Sequence, residues 1–452
     1  MTHARLLFPA LRGADATRDP EPFLRLAERG VGGFTVFGGD AGLGALLARV
    51  AAAARHPLVF AADLEEGAGQ QIAGLTRHPP AAALLPGAAF QAGLLTALEA
   101  RPHGVTMTFA PVCDVASEPR NPILSGRAFP SPRDAAPRFV EGARALGLRT
   151  CAKHFPGHGA TLEDSHDALP VVRADAATWR RRDLAPFVAC IRAGVDAVMT
   201  AHVACPALTD HPSLPATLSA RVMTDLLRGE MGFTGLAVSD ALLMEGVRGG
   251  RSEAEAARLA VEAGCDAVIC PDDVEGVLGA LRDVRPARVE EALARVAAAA
   301  EPLPAGAAVD GEELRDAMRR AAVASVTSHG SLPIGPGPHP LRIADLHGGG
   351  EAFAAACGLL HERIAPDGAV LSRGGTRGLA APAVALLRRD KAWGGPLDPT
   401  PPLRALTDAA RLVLALGPRR LLDGIRADAW VHAPGEDPFT VREVVRRAFA
   451  GS

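Results

Sequence analysis

Two short segments concentrate side chains that can move protons or attack carbon. The first is Lys153-His154-Phe155-Pro156-Gly157-His158-Gly159, followed closely by Asp164-Ser165-His166-Asp167. Three of the 14 histidines fall between positions 154 and 166. An imidazole titrates near pH ~6.5, so such a cluster can give and take protons at neutral pH. Pro156, Gly157 and Gly159 forbid a regular helix through its first half, and the segment reads as a loop leaving a strand. His154, His158, His166 and Asp164 are also acceptable zinc ligands. Their spacing matches neither a helical His-Glu-x-x-His nor a Cys/His motif, so no metal or other cofactor is expected. A polar loop whose histidines satisfy backbone groups is the plainer alternative.

The second segment runs from Gly235 to Gly246 and places Asp240 at the end of an apolar run, flanked by Val238, Ala241 and Leu242. An ionised carboxylate there is costly unless it is hydrogen-bonded or used in chemistry. Capping of a following helix is the competing reading. Lysine occurs only at Lys153 and Lys391, every other strong cation being arginine. Its use inside the densest polar motif suggests that the site needs a compact ammonium and not a planar fork.

Such residues need a frame. Eight short apolar runs precede residue 275: Leu6 to Ala10, Gly33 to Phe37, Leu58 to Ala62, Val105 to Val112, Thr150 to His154, Ala197 to His202, Leu236 to Ser239 and Ala267 to Cys270. Stretches of helical period separate them, for example Ser252 to Ala263, where Ser252 and Glu255 have capping-box spacing. Ala193-Gly194-Val195-Asp196-Ala197-Val198 and Ala263-Gly264-Cys265-Asp266-Ala267-Val268 repeat one pattern, and Arg29-Gly30-Val31 is a looser copy. In each, a glycine can end a helix in a left-handed conformation before a strand begins.

Eight βα units predict an α/β fold of the (β/α)8 TIM-type barrel class, with the site at the carboxyl ends of the strands. An open doubly wound sheet is the alternative. The polar residues favour closure, because Asp63, Asp114, the Lys153-His154 pair, His202 and Asp240 each end a different run. The stretch Glu301 to Asp310 reads as a linker, giving a catalytic barrel over 1–304 and a smaller αβα sandwich domain over 305–452. That second domain is expected to hold a helix over Glu312 to Ser325. Its expected strands are Leu341 to Leu346, Val370 to Ser372, Leu412 to Leu416 and Ala429 to Val431, with a closing helix from Pro438.

Composition narrows the partners. Forty-eight basic and 51 acidic side chains leave a net charge of -3, which favours neither nucleic acid nor an anionic membrane. No apolar stretch reaches membrane-spanning length and the N-terminus lacks a signal-like core, so a cytoplasmic protein is expected. The seven cysteines show no C-x-x-C spacing and read as buried thiols.

The chain resembles glycoside hydrolase family 3, and within it the bacterial β-N-acetylglucosaminidase branch. The resemblance rests on KHFPGHG with DSH nearby, on Ala110 to Val115, Asn121 to Phe129, Thr200 to Val203 and Pro215 to Ser219, and on SDALLMEG around Asp240. It spans most of residues 30–275 in order, and extends more weakly into a shortened C-terminal half. It implies a retaining double displacement in which Asp240 is the nucleophile and His166, oriented by Asp164, is the acid/base. It further implies that Asp63, Arg127, Lys153 and His154 bind the sugar, while Asp114 reads as structural. The expected activity is an exo-β-glycosidase on terminal β-N-acetylglucosaminides, among them cell-wall muropeptide fragments. A glycoside phosphorylase on the same fold, a metal-dependent barrel hydrolase and a silent sugar-binding protein are the alternatives.

One departure bears on the glycone. Where the family commonly has arginines, this chain has Ala68 and Gln71. It also has no tyrosine, and Trp179, Trp393 and Trp430 lie away from the motifs, leaving Phe155 as the aromatic expected near the mouth.

Overall fold

The computed structural model describes residues 2–118, 121, 123–124, 126–162, 169–209 and 211–329, and beyond them the strands named below with 439–440 and 443–444. The chain divides into two compact units. One comprises Met1–Arg77, Leu84–Asn121 and Arg127–Arg315, the other His78–Ala83, Pro122–Gly126 and Asp316–Ser452.

Among the described residues of the first unit, helices separate successive strands from β2 onward: β1 (Leu7–Phe8), β2 (Ala10–Arg12), β3 (Gly33–Phe37), β4 (Val59–Ala62), β5 (Met107–Thr108), β6 (Arg149–Phe155), β7 (Ala197–Thr200), β8 (Leu236–Val238) and β9 (Val268–Ile269). Strands β2 to β8 form a curled seven-stranded sheet in sequence order, every neighbouring pair parallel. β1 pairs in parallel with β9, and Val238 bridges to Ala267. The strands are buried along almost their whole length, which is why they read as continuous apolar runs. Two runs are interrupted by proline. Pro9 separates β1 from β2, and Pro111 lies between the end of β5 at Thr108 and Val112, which returns as a bridge to Lys153.

Helix ends follow the sequence. The Ser252 side chain accepts from the Glu255 amide at 3.1 Å, starting the helix Glu253–Ala263. Gly30, Gly194 and Gly264 all have positive φ, although Gly264, at 133°, lies outside the left-handed helical region proper. The aspartate of the repeat does more than the glycine. Asp196 accepts from the Thr150 amide of β6 at 3.0 Å and from Arg149 at 2.9 Å, with Arg144 also paired to it. Asp266 accepts from the Ala237 amide of β8 at 2.9 Å, and from Arg228, Arg288 and Arg295 at 2.6, 2.6 and 3.0 Å. Each thus stitches the start of its strand to the preceding one with charge-assisted bonds. Outside the sheet, the helices Pro86–Ala100 and Pro132–Ala145 approach closely through Gly93 and Gly142. A β-carbon on either would overlap a carbonyl oxygen of the other helix.

In the second unit β10 (Thr327–His329), β11 (Arg342–Asp345), β12 (Leu360–Ile364), β13 (Val370–Ser372), β14 (Gly375–Arg377), β15 (Val384–Arg388), β16 (Leu412–Leu416) and β17 (Trp430–Ala433) form one eight-stranded sheet. Its order is β10-β17-β16-β15-β11-β12-β13-β14, parallel from β17 to β12 and antiparallel at both edges. The four expected strands are present, and four more accompany them. The flanking layers expected of a sandwich, and most of the closing helix expected from Pro438, fall on residues outside those described. Among the described residues no helix is long and apolar enough to cross a membrane, and six of the seven cysteines are buried free thiols.

Candidate active site

The carboxyl end of β6 sets the site. Its pairing with β7 slips between Ala152 and Phe155, and an irregular stretch of this kind re-aims side chains that would otherwise alternate. Lys153 and His154, adjacent in sequence, accordingly both reach acidic partners. Lys153 Nζ lies 2.5 Å from Asp63 Oδ1 and 2.6 Å from Glu65 Oε1. His154 Nδ1 lies 2.7 Å from Asp114 Oδ2.

Asp114 is fully buried, and its other oxygen accepts the His158 amide at 2.5 Å. Burial alone would raise its carboxyl, but His154 and His158 outweigh burial and hold it below the ordinary carboxylate range. A carboxylate only accepts, so His154 donates from Nδ1, and its Nε2 lies 3.5 Å from the Arg127 guanidinium. Arg127 itself forks onto Glu65 at 2.7 and 2.8 Å. Arg127, Lys153, His154 and Asp63 therefore form one network joined through Glu65. Burial pushes the Glu65 carboxyl up, but Arg127 and Lys153 overcome that and keep it ionised. Within the network Lys153 is 3% exposed and Asp63 31%, so Asp63 is the member that solvent or a ligand meets first.

The rest of the loop is fixed from behind. Gly159 lies so close to Val115 that a β-carbon would overlap its carbonyl. His158 is buried, its Nδ1 2.8 Å from Thr161 Oγ1, and burial pushes its imidazole down to about 4, leaving it neutral. Asn121 donates to the His158 carbonyl at 2.8 Å.

Asp240 follows β8 on the same rim. Its Oδ1 accepts the Ala241 amide at 2.8 Å. The following helix starts at Glu245 with Met244 at its cap, so Asp240 does not cap it. Burial pushes the Asp240 carboxyl up, but His202, His154, the Ala241 amide and Lys153 together hold it below the usual range. That influence places Asp240 within electrostatic reach of the Lys153-His154 pair. Together they can present an ionised carboxylate to a molecule held by Asp63.

Sequence reasoning assigned no role to Glu65, although it stands two residues after Asp63, a spacing that puts both on one side of an extended segment. Asp164 and His166 lie outside the described residues. Among the described residues no three of His, Cys, Asp and Glu are grouped to hold a metal ion. Phe155 is fully buried against Phe187 with ring centroids 5.3 Å apart, and Trp179 is fully buried, so both are core and neither offers a sugar platform. Ala68 is also fully buried, and Gln71 turns its side-chain oxygen to the Gly38 amide at 2.9 Å.

Residues 24–299 match the family described as the glycosyl hydrolase family 3 N terminal domain. A β-hexosaminidase of Xylella fastidiosa (strain 9a5c) is 38% identical over 255 residues, 52% of this chain and 74% of that protein. A β-N-acetylglucosaminidase/β-glucosidase of Cellulomonas fimi is 30% identical over 428 residues, 82% of this chain and 75% of that protein. Among solved structures, a family 3 β-N-acetylglucosaminidase from Paenibacillus sp. str. FPU-7 matches with a TM-score of 0.82 at 25% identity, covering 98% of this chain and 95% of that one.

Proposed function

The chain belongs to glycoside hydrolase family 3, and from that premise we propose that it is a retaining exo-β-N-acetylglucosaminidase acting on terminal β-N-acetylglucosaminides, including cell-wall muropeptide fragments. The names of the Xylella, Cellulomonas and Paenibacillus proteins support the glycone. The observation that carries the mechanism is Asp240, an ionised carboxylate on the rim that also holds Lys153 and His154.

In the first step an Asp240 oxygen attacks the anomeric carbon as the bond to the leaving oxygen breaks, and His166 delivers its proton to that oxygen. In the second, His166 takes a proton from water, the water oxygen replaces Asp240 at the anomeric carbon, and the configuration is retained. Asp164 orients the imidazole and favours its charged form. Asp63 accepts from sugar hydroxyls, while Arg127, Lys153 and His154 border the sugar. The β1–β9 pair and the Val238–Ala267 bridge fall at the two edges of the seven-stranded sheet, which supports a closed (β/α)8 barrel over 1–304. We assign residues 305–452 to an αβα sandwich domain.

A panel of p-nitrophenyl N-acetyl-β-glucosaminide, β-glucoside and β-xyloside, each with and without phosphate, tests this reading. The N-acetylglucosaminide should be cleaved fastest, giving free sugar whether or not phosphate is present. Accumulation of a sugar 1-phosphate would replace the hydrolase with a phosphorylase, and loss of turnover on chelation would favour a metal-dependent enzyme.

A further inference from the structure

Two of the sequence motifs, Thr200 to Val203 and Pro215 to Ser219, have no part in the double displacement, yet their polar side chains meet behind Asp240. The Asp240 amide donates to Thr200 Oγ1 at 3.4 Å. Thr200 Oγ1 and Thr217 Oγ1 are 2.8 Å apart, and Thr217 Oγ1 is 2.8 Å from His202 Nδ1. His202 Nε2 lies 3.2 Å from the Ala241 carbonyl. Thr200, Thr217 and His202 are all fully buried.

The direction of each bond follows from what each atom can do. A carbonyl only accepts, so His202 carries a proton on Nε2 and donates it to Ala241. Thr200 Oγ1 receives the Asp240 amide, and its own hydroxyl hydrogen is directed to Thr217. Burial pushes the His202 imidazole down and keeps it neutral, which leaves a lone pair on Nδ1. The Thr217 hydroxyl can satisfy that lone pair, its other acceptor being the Ala201 carbonyl at 3.1 Å. The hydrogen bonds thus run from the Asp240 amide through Thr200 and Thr217 to His202, and from His202 back to the residue after Asp240. The Asp240 amide end of the Asp240-Ala241 dipeptide is held by Thr200 and the Ala241 carbonyl end by His202, and the Ala241 amide between them is the group bonded to the Asp240 carboxylate.

We propose that His202 is a positioning residue, which acts through Thr217 and Thr200 to hold the Asp240 carboxylate in line for attack. The inference rests on the reading of Asp240 as nucleophile. All three side chains are fully buried, so breaking the hydrogen-bond chain should lower turnover and leave binding almost unchanged.

The test measures kcat and KM on p-nitrophenyl N-acetyl-β-glucosaminide for Thr217→Val, Thr217→Ser, Thr200→Val, Thr200→Ser, His202→Ala and Asp240→Ala. Each valine variant breaks the chain, and each serine variant restores the hydroxyl. The valines and His202→Ala should lower kcat about tenfold to a hundredfold, the penalty of a misplaced reacting group, with KM within about threefold. Each serine should recover kcat to within about threefold of the parent. If one valine variant fails to fold, the pair at the other threonine decides. Valine variants as active as the parent, or serines as impaired as valines, overturn the positioning role. An inactive Asp240→Ala beside fully active valine variants overturns this inference alone, whereas an active Asp240→Ala removes the nucleophile reading and this one with it.

Discussion

Replacing Glu65 with glutamine removes one charge from a buried network and keeps its shape. Glu65 takes Arg127 on both oxygens, at 2.7 and 2.8 Å, and Lys153 at 2.6 Å. Glutamine accepts through one oxygen only, so a charge-assisted bond is lost and an NH2 group is turned toward a cation. Such bonds are worth about 1.5–3 kcal/mol, and removing one partner of a buried pair costs about 3–5 kcal/mol. At about 2 °C per kcal/mol, the melting midpoint should fall by about 6–10 °C at pH 7. The pH dependence supplies an internal control. Burial would raise the Glu65 carboxyl, but Arg127 and Lys153 hold it far below the ordinary range. A carboxylate depressed by folding contributes stability above its unfolded value, near ~4.3, and loses it as pH falls toward the folded value. Calorimetry of parent and Glu65→Gln should therefore show the full gap at pH 7 and a shrinking one below about pH 4. Equal midpoints at pH 7, or a gap that persists undiminished in acid, would refute the reasoning.

Other consequences are as direct. Because burial pushes the His158 imidazole down to about 4, the unfolded chain takes up this proton first. The neutral ring stabilises the fold above pH ~6.5, and about 3 kcal/mol is lost as pH falls from there toward 4. An imidazole resonance of His158 that titrates above pH 6 by NMR would contradict this. Asp266→Asn weakens bonds to three arginines and should cost about 3–5 kcal/mol in denaturant melts while kcat at 25 °C stays within about twofold. A midpoint unchanged by that substitution would show the cluster to be energetically idle. Lys153→Arg keeps the charge but places a planar fork where a 3% exposed ammonium sits between Asp63 and Glu65. Its kcat/KM should drop at least about tenfold, and near-parental activity would mean that any cation serves there.

What could be read from the sequence was what burial writes into it. Unbroken apolar runs mark strands in the sequence, so β3, β13 and β16 match the expected bounds residue for residue, and β3 is buried along nearly its whole length. The Ser252 cap and the glycines before β3, β7 and β9 were legible because they obey local rules. Breaks made by one proline in an apolar run, at Pro9 and Pro111, were absorbed into longer strands, because periodicity carries no penalty for a missing amide. In the site, Asp63, Arg127, Lys153, His154 and Asp240 were picked out by motif. The groups that hold them were not. Glu65 has no motif, the motifs holding Thr200 and Thr217 do not show that the two hydroxyls meet at 2.8 Å, and the aspartates of the repeat bond strands that are distant in sequence. Phe155 was placed at the mouth because its neighbours are polar, whereas the slip in β6 turns it into the core.

A retaining double displacement passes through a covalent bond between Asp240 and the sugar. Intact-protein mass spectrometry after exposure to a 5-fluoro N-acetyl-β-glucosaminide, which slows hydrolysis of a glycosyl-enzyme, tests it directly. A mass increase of one glycosyl residue is expected, mapping to the peptide that contains Asp240 and absent from an inactive Asp240→Ala. An adduct on another residue, or parental turnover by Asp240→Ala, would contradict it.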